Sequence, residues 1–141
     1  MRTRKLYLAF VIVLALTVAC SFTTAHISSL KLSKDKEGNK EATNFAPHDT
    51  IYAKAIISNV PSKVTVKMRF ITEKVEGQPE NAPVTQFDKS FDLPSDGSVS
   101  YYVSPGPSGW PLGKYRIEAS MFIESGEQKD QKTATFTVSG D

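Results

Sequence analysis

The feature that most constrains this chain is an alternation of apolar and polar residues, with a period of two, that returns in segment after segment beyond residue 25. In residues 50–59, Ile51, Ala53, Ala55 and Ile57 fall on one face. Residues 63–73 set Val64, Val66, Met68 and Phe70 against Thr65, Lys67 and Arg69. The same rhythm carries Phe87, Lys89, Phe91 and Leu93, with one polar interruption, and then Val99, Tyr101 and Val103. It continues through Tyr115, Ile117, Ala119, Met121 and Ile123, and through Ala134, Phe136 and Val138 against Thr133, Thr135 and Thr137. A weaker segment spans residues 27–33, where Ile27 and either Leu30 or Leu32 are candidates for burial. Successive side chains on a strand point to opposite faces, so each segment reads as a half-buried strand.

Turn chemistry separates the segments. Residues 34–44 are charged and contain Gly38-Asn39, an exposed loop or hairpin tip. Asn59-Val60-Pro61-Ser62 predicts a tight turn that makes residues 50–59 and 63–73 a hairpin. Gly77, Pro79 and Pro83 predict a mobile loop over residues 76–83. In Pro94-Ser95-Asp96-Gly97, proline presets φ and glycine accepts a positive one. Residues 105–113 form a second long turn, and residues 125–130 are polar around Gly126. About seven strands, each with one buried face, predict an all-β fold: a single antiparallel β-sandwich. Long, uneven connections suit Greek-key topology better than a closed barrel.

The N-terminus follows different rules. Arg2, Arg4 and Lys5 precede an apolar run of roughly 14 residues, Leu6 to Ala19. That length fits an export signal and falls short of the ~20 residues a spanning helix needs. Leu16-Thr17-Val18-Ala19-Cys20 closes the run and resembles the lipobox of bacterial lipoproteins, with Thr17 where leucine is commoner. The resemblance implies a diacylglyceryl thioether on Cys20, cleavage before it and acylation of the freed amine. Ser21, where diderm lipoproteins retained at the inner membrane carry Asp, implies the outer membrane. An ordinary signal cut after Thr23-Thr24-Ala25 is the competing reading. Cys20 is the sole cysteine, which excludes an internal disulfide and favours the lipid. The expected organisation is a signal peptide over residues 1–19, a lipidated tether over 20–25 and the sandwich over 26–141.

Charge is informative only once the leader is set aside. Arg2, Arg4 and Lys5 leave with it, so the 17 Lys+Arg become 14 against 15 Asp+Glu, a net charge of −1. No basic surplus remains for nucleic acid. A domain of this length can bury a core without disulfides or metals.

Residues 104–117, SPGPSGWPLGKYRI, carry the most local information. Leu112-Gly113-Lys114-Tyr115, opening an alternating strand, resembles the penultimate-strand entry of fibronectin type III and other immunoglobulin-like domains. The resemblance implies an immunoglobulin-like sandwich and a tyrosine corner on Tyr115, whose hydroxyl would bond back to upstream backbone. The cysteine pair of antibody domains is missing, and the tryptophan lies in the turn instead of on an early strand. Trp110 is expected to plug the open end of the core; as a loop residue it is also a candidate binding anchor.

Catalytic patterns are weak. His26 and His48 have no spacing partner for a zinc site or a dyad. The serines match no nucleophile-elbow pattern. Asp88, Asp92 and Asp96 recur every fourth residue without the late glutamate of a calcium loop. Lys63, Lys67 and Arg69 line the outward face of one strand, where solubility is the common reason for such residues. The chain therefore reads as a non-enzymatic, membrane-tethered binding or structural module with no metal or cofactor. Its expected partners are the membrane, through the lipid, and a protein or envelope polymer held by a monomeric domain. Gln78, Pro79 and Trp110 mark the candidate binding loops. The alternative function is a small protease inhibitor that presents residues 76–83 to a cleft.

Overall fold

The computed structural model describes residues 23–140; the expected leader and Cys20 lie outside them. The chain forms strands β1 (His26–Ser33), β2 (Asn44–Phe45), β3 (Ile51–Ser58), β4 (Val64–Val75), β5 (Ala82–Pro83), β6 (Lys89–Leu93), β7 (Gly97–Val103), β8 (Gly113–Ile123) and β9 (Gln128–Val138). A single turn of 3-10 helix, Thr85–Phe87, precedes β6. The seven expected segments are the seven longer strands. Their β-branched and aromatic residues fit a pleated, half-buried surface.

The strands divide into two sheets, one ordered β1-β3-β7 and the other β2-β9-β8-β4, with β5 and β6 both paired to β4. Pairing is antiparallel except for the two-residue contact of β2 with β9. Of the seven longer strands, the first, second and fifth share one sheet, and the third, sixth and seventh share the other. That partition is the immunoglobulin-like one. The fourth, β6, joins the larger sheet beside the third. Between the sheets lie the residues that alternation marked: Ile51, Ala53, Ala55 and Ile57; Val64, Val66, Met68 and Phe70; Val99, Tyr101 and Val103; Tyr115, Ile117, Ala119 and Met121; Phe136 and Val138. Of the candidates on β1, Ile27 and Leu32 are buried and Leu30 is half-buried.

Three expectations need correction. Residues 59–62 do not close a hairpin. Strand β3 already has β1 on one edge and β7 on the other, so β4 has no edge to join and enters the opposite sheet. Asn59, at φ 59°, makes the bend, and the Val60 N–H donates to Asp96 Oδ1 at 2.7 Å. A short polar link serves a crossing as well as a hairpin, so local turn chemistry could not separate the two. Residues 76–83 are not a loose loop, because hydrogen bonds to Thr72, Glu73 and Val75 order them. Strand β9 begins at Gln128, inside the segment expected to be a loop, because polar residues pair well on a solvated strand. The turn before it closes through Ile123 N–H to Glu127 O at 3.0 Å.

The register fixes which loops share an end. His26 pairs with Ser58, and Gly97 with Ile57. The Ile27 N–H donates to Asp130 Oδ2 at 2.8 Å, which sets the start of β1 beside the start of β9 and the end of β8. This is the lower end. Val75, Gly113 and Val138 lie together at the opposite, upper end, as do Ile51 and Val103. Segments 76–81 and 104–112 both emerge there.

Candidate functional site

At the upper end, segment 104–112 is held down by contacts that depend on glycine. Gly109 has φ +77°, and a Cβ on it would lie 2.8 Å from Pro47 O. Gly113 has φ +150°, and a Cβ there would lie 2.5 Å from Lys74 O. Only a residue without a side chain lets these backbones meet. The approach at Gly109 places the Trp110 N–H on Pro47 O at 2.7 Å and the indole Nε1–H on Asp49 O at 2.9 Å. The Trp110 ring is 8% exposed, stacks on Phe70 at 5.2 Å and meets Phe87 edge-on at 5.9 Å. It closes the core between the sheets.

Two residues beyond Gly113, the Tyr115 hydroxyl donates to Pro111 O at 2.6 Å, the geometry of a tyrosine corner. The ring stacks on Phe136 at 5.4 Å, and burial pushes its pKa up to about 12. On the facing side, Thr72 Oγ1 donates to Pro79 O at 3.3 Å and to Ala82 O at 3.1 Å. The Gln78 N–H donates to Val75 O, the Asn81 N–H to Glu73 O, and Arg116 reaches Asn81 Oδ1 at 2.9 Å. Segment 76–81 is therefore an ordered arch.

The two segments face each other across a cleft of about 260 Å³. Gln78 and Trp110 line it together with Phe70, Phe87, Tyr115 and the Gln86 side of the 3-10 turn. Pro79 does not line it; its carbonyl is committed to Thr72. The walls are aromatic, and the polar groups are amides and hydroxyls, which exchange hydrogen bonds without titrating near pH 7.

A larger groove, about 500 Å³, lies on the outer face of the three-stranded sheet. Tyr52 of β3 pairs with Tyr102 of β7, their rings 6.0 Å apart and inclined at 35°. Tyr102 is 55% exposed. Lys54 and Ser100 form the next pair along the strands, and Lys36 overhangs from the turn after β1. That turn is fixed by Asp35, whose carboxylate accepts the Lys40 N–H at 2.6 Å and the Asn39 N–H at 3.0 Å. The Lys40 bond, then the Asn39 bond, hold its pKa below the ordinary aspartate value. The Ser33 hydroxyl donates to Asp35 O at 2.7 Å from below.

No family model matches the chain, and no curated protein does. Among solved structures it is similar to the PmoD soluble domain from Methylocystis sp. ATCC 49242 (Rockwell). The likeness is at 12% identity over 78% of this chain and 89% of that chain, with a TM-score of 0.44.

The remaining sequence candidates occupy structural posts. Asp88 lies within ion-pair distance of Lys67 and Arg69, Asp92 accepts from Thr65 Oγ1 and pairs with Lys63, and Asp96 holds the Val60 N–H. The outward cations of β4 thus lie in a ladder of opposite charges that continues through Glu118, Arg116 and Glu73. His26 and His48 are both exposed, at the lower and upper ends respectively. Among the described residues, no group of three His, Cys, Asp or Glu converges on one point. Sequence reasoning passed over Tyr52, Tyr102 and Lys54. The available signal was an aromatic residue on the polar phase of two alternating strands.

Proposed function

We propose that this chain is a lipid-anchored protein of a bacterial envelope whose sandwich is a binding module turned away from the membrane. The observation that carries this reading is the polarity of the domain. The chain enters β1 at the lower end, while the cleft formed by segments 76–81 and 104–112 is at the upper end. With Cys20 in lipid, the six steps to His26 span no more than about 20 Å. Strand β8, at 11 residues, then lifts the upper end roughly 35 Å above the lower. Aromatic walls with the side-chain amides of Gln78 and Gln86 beside them suit recognition of a ligand by shape and hydrogen bonding.

Two measurements test the reading together. Mass spectrometry of the purified full chain is expected to find an acylated N-terminal peptide beginning at Cys20; an intact leader overturns the anchor. A photocrosslinking residue placed at Gln78 in cells is expected to capture a discrete envelope partner, and one placed at Ser125, at the lower end, to capture lipid. Capture of the same partner from both ends, or of none from Gln78, overturns recognition at the cleft.

A further inference from the structure

We infer that the outer face of the three-stranded sheet is a second binding site, and that its ligand is an acidic polysaccharide. The site is separate from the upper-end cleft and does not depend on it. Its first component is aromatic. Tyr52 and Tyr102 stand side by side on the solvent face, where the other outward residues of β3 and β7 are polar apart from Ile56. The inward tyrosine of the same strand, Tyr101, is 2% exposed and gives its hydroxyl to Phe87 O at 2.8 Å. Tyr102, one residue later, has no such structural post. A tyrosine ring presents an apolar face with a polar rim, which matches the C–H face and hydroxyl edge of a pyranose.

The second component is charge. Elsewhere, Lys31, Lys34, Lys63, Lys67, Lys114 and Lys129 each lie within ion-pair distance of a carboxylate. Among the described residues, Lys36 and Lys54, which line the groove, have no such partner, and neither do Lys40, Lys74 and Lys132 outside its lining. Lys89 has none either, and its Nζ sits 5.2 Å from the centre of the Tyr102 ring. No acidic residue lines the groove. Three ammonium groups around an aromatic pair attract an anion and favour a flat, partly apolar body between the charges.

The third component is hydroxyl. Ser98 and Ser100 follow Tyr102 down β7 on the same face, and both are exposed. Serine both donates and accepts, as sugar hydroxyls do. A polymer of acidic sugars satisfies all three components along the strand direction. Single-stranded nucleic acid would meet the same three components, since serine hydroxyls donate to phosphate oxygens too, so charge has to separate the two ligands. A net charge of −1 outside the leader withholds the wider basic surface that a phosphate backbone needs.

The test is titration of the purified full chain, in detergent, with polygalacturonate as the probe. Binding is expected to weaken about tenfold in Tyr102→Ala, the loss of one anchor residue. It is expected to survive in Tyr102→Phe, which keeps the ring, to weaken in Lys54→Gln, and to fall with added salt. Unaltered binding in both Tyr102→Ala and Lys54→Gln overturns the site. Equal affinity for neutral amylose overturns the acidic part of the assignment. Competition by oligothymidylate at equal concentration reassigns the face to nucleic acid and overturns the proposal. So does a concentration-dependent dimer that Tyr102→Ala abolishes.

Discussion

The upper end of the sandwich and the outer face of its smaller sheet are both rich in aromatic residues, and they use them in opposite ways. At the upper end, each polar handle on a ring is tied to a backbone carbonyl: Trp110 Nε1 to Asp49, Tyr115 to Pro111, and nearby Tyr101 to Phe87. On the outer face, Tyr52 and Tyr102 meet each other and, at Tyr102, the Lys89 ammonium, and neither ring hydroxyl is tied to a backbone carbonyl. Tyr101 and Tyr102 make the contrast within one strand. A buried ring whose polar handle is already satisfied stabilises the fold and offers a ligand only the edge of its apolar face. An exposed ring stabilises little and stays available. Stability measurements and binding measurements should therefore pick out different aromatic residues.

The largest expected effect is at Trp110. Trp110→Ala removes the lid over Phe70 and Phe87 and leaves the Asp49 carbonyl without its donor. A loss of about 3–5 kcal/mol in urea unfolding is expected, the usual range for truncating a buried tryptophan. A loss below about 1 kcal/mol would mean that the ring is not part of the core, and the division between the two regions would fail at its strongest point.

Next comes the tyrosine corner. Tyr115→Phe keeps the stacked ring and deletes one hydrogen bond, which leaves the Pro111 carbonyl unpaired. The expected cost is about 1–2 kcal/mol. The same hydroxyl gives the fold an alkaline limit. Burial raises the Tyr115 pKa from 10.0 to about 12, so the folded state favours the neutral phenol. That contribution is complete below the unfolded pKa and is lost as pH climbs from 10 toward 12. Tyr101 is shifted in the same direction, first by burial and then by the Asp88 charge. Urea midpoints measured between pH 9 and pH 11.5 should fall in the parent chain and fall less in Tyr115→Phe. Parallel curves would show that the corner hydroxyl does not sense folding.

Much of this division is legible in the order of the amino acids alone. Period-two alternation gives the inward residues of β3, β4, β7 and β8, and the run Leu112-Gly113-Lys114-Tyr115 gives the corner. Partner choice between strands stays hidden there. Residues 59–62 carry the local chemistry of a tight turn, but the paired edges of β3 send the chain across to the other sheet. The order in residues 76–83 is also out of reach, because it rests on the Thr72 hydroxyl and on Arg116, 35 residues beyond Asn81. Gln78 and Trp110 are legible as loop residues, though their meeting at one cleft requires the three-dimensional register. The outer-face groove is visible in outline as two tyrosines out of phase, a signal easily set aside when alternation is read only for its buried half.

The smallest expected effect on stability is the most discriminating. Tyr102→Ala removes a side chain that is more than half exposed and bonded to no backbone group. Its loss should change the unfolding free energy by no more than about 0.5 kcal/mol, as for surface positions away from structural features. Two small terms oppose each other here. The pair with Tyr52 is a cross-strand aromatic contact, worth roughly 0.2–1 kcal/mol when formed. Against it stands the side-chain freedom that ordering the ring removes. Tyr101→Ala, one residue earlier, opens a cavity in the core and strands the Phe87 carbonyl, so it should fall in the range of several kcal/mol seen for buried aromatics. Paired urea titrations of these two neighbours measure the contrast directly. If Tyr102→Ala costs as much as Tyr101→Ala, the outer face is a second structural layer and its rings are not free for a ligand.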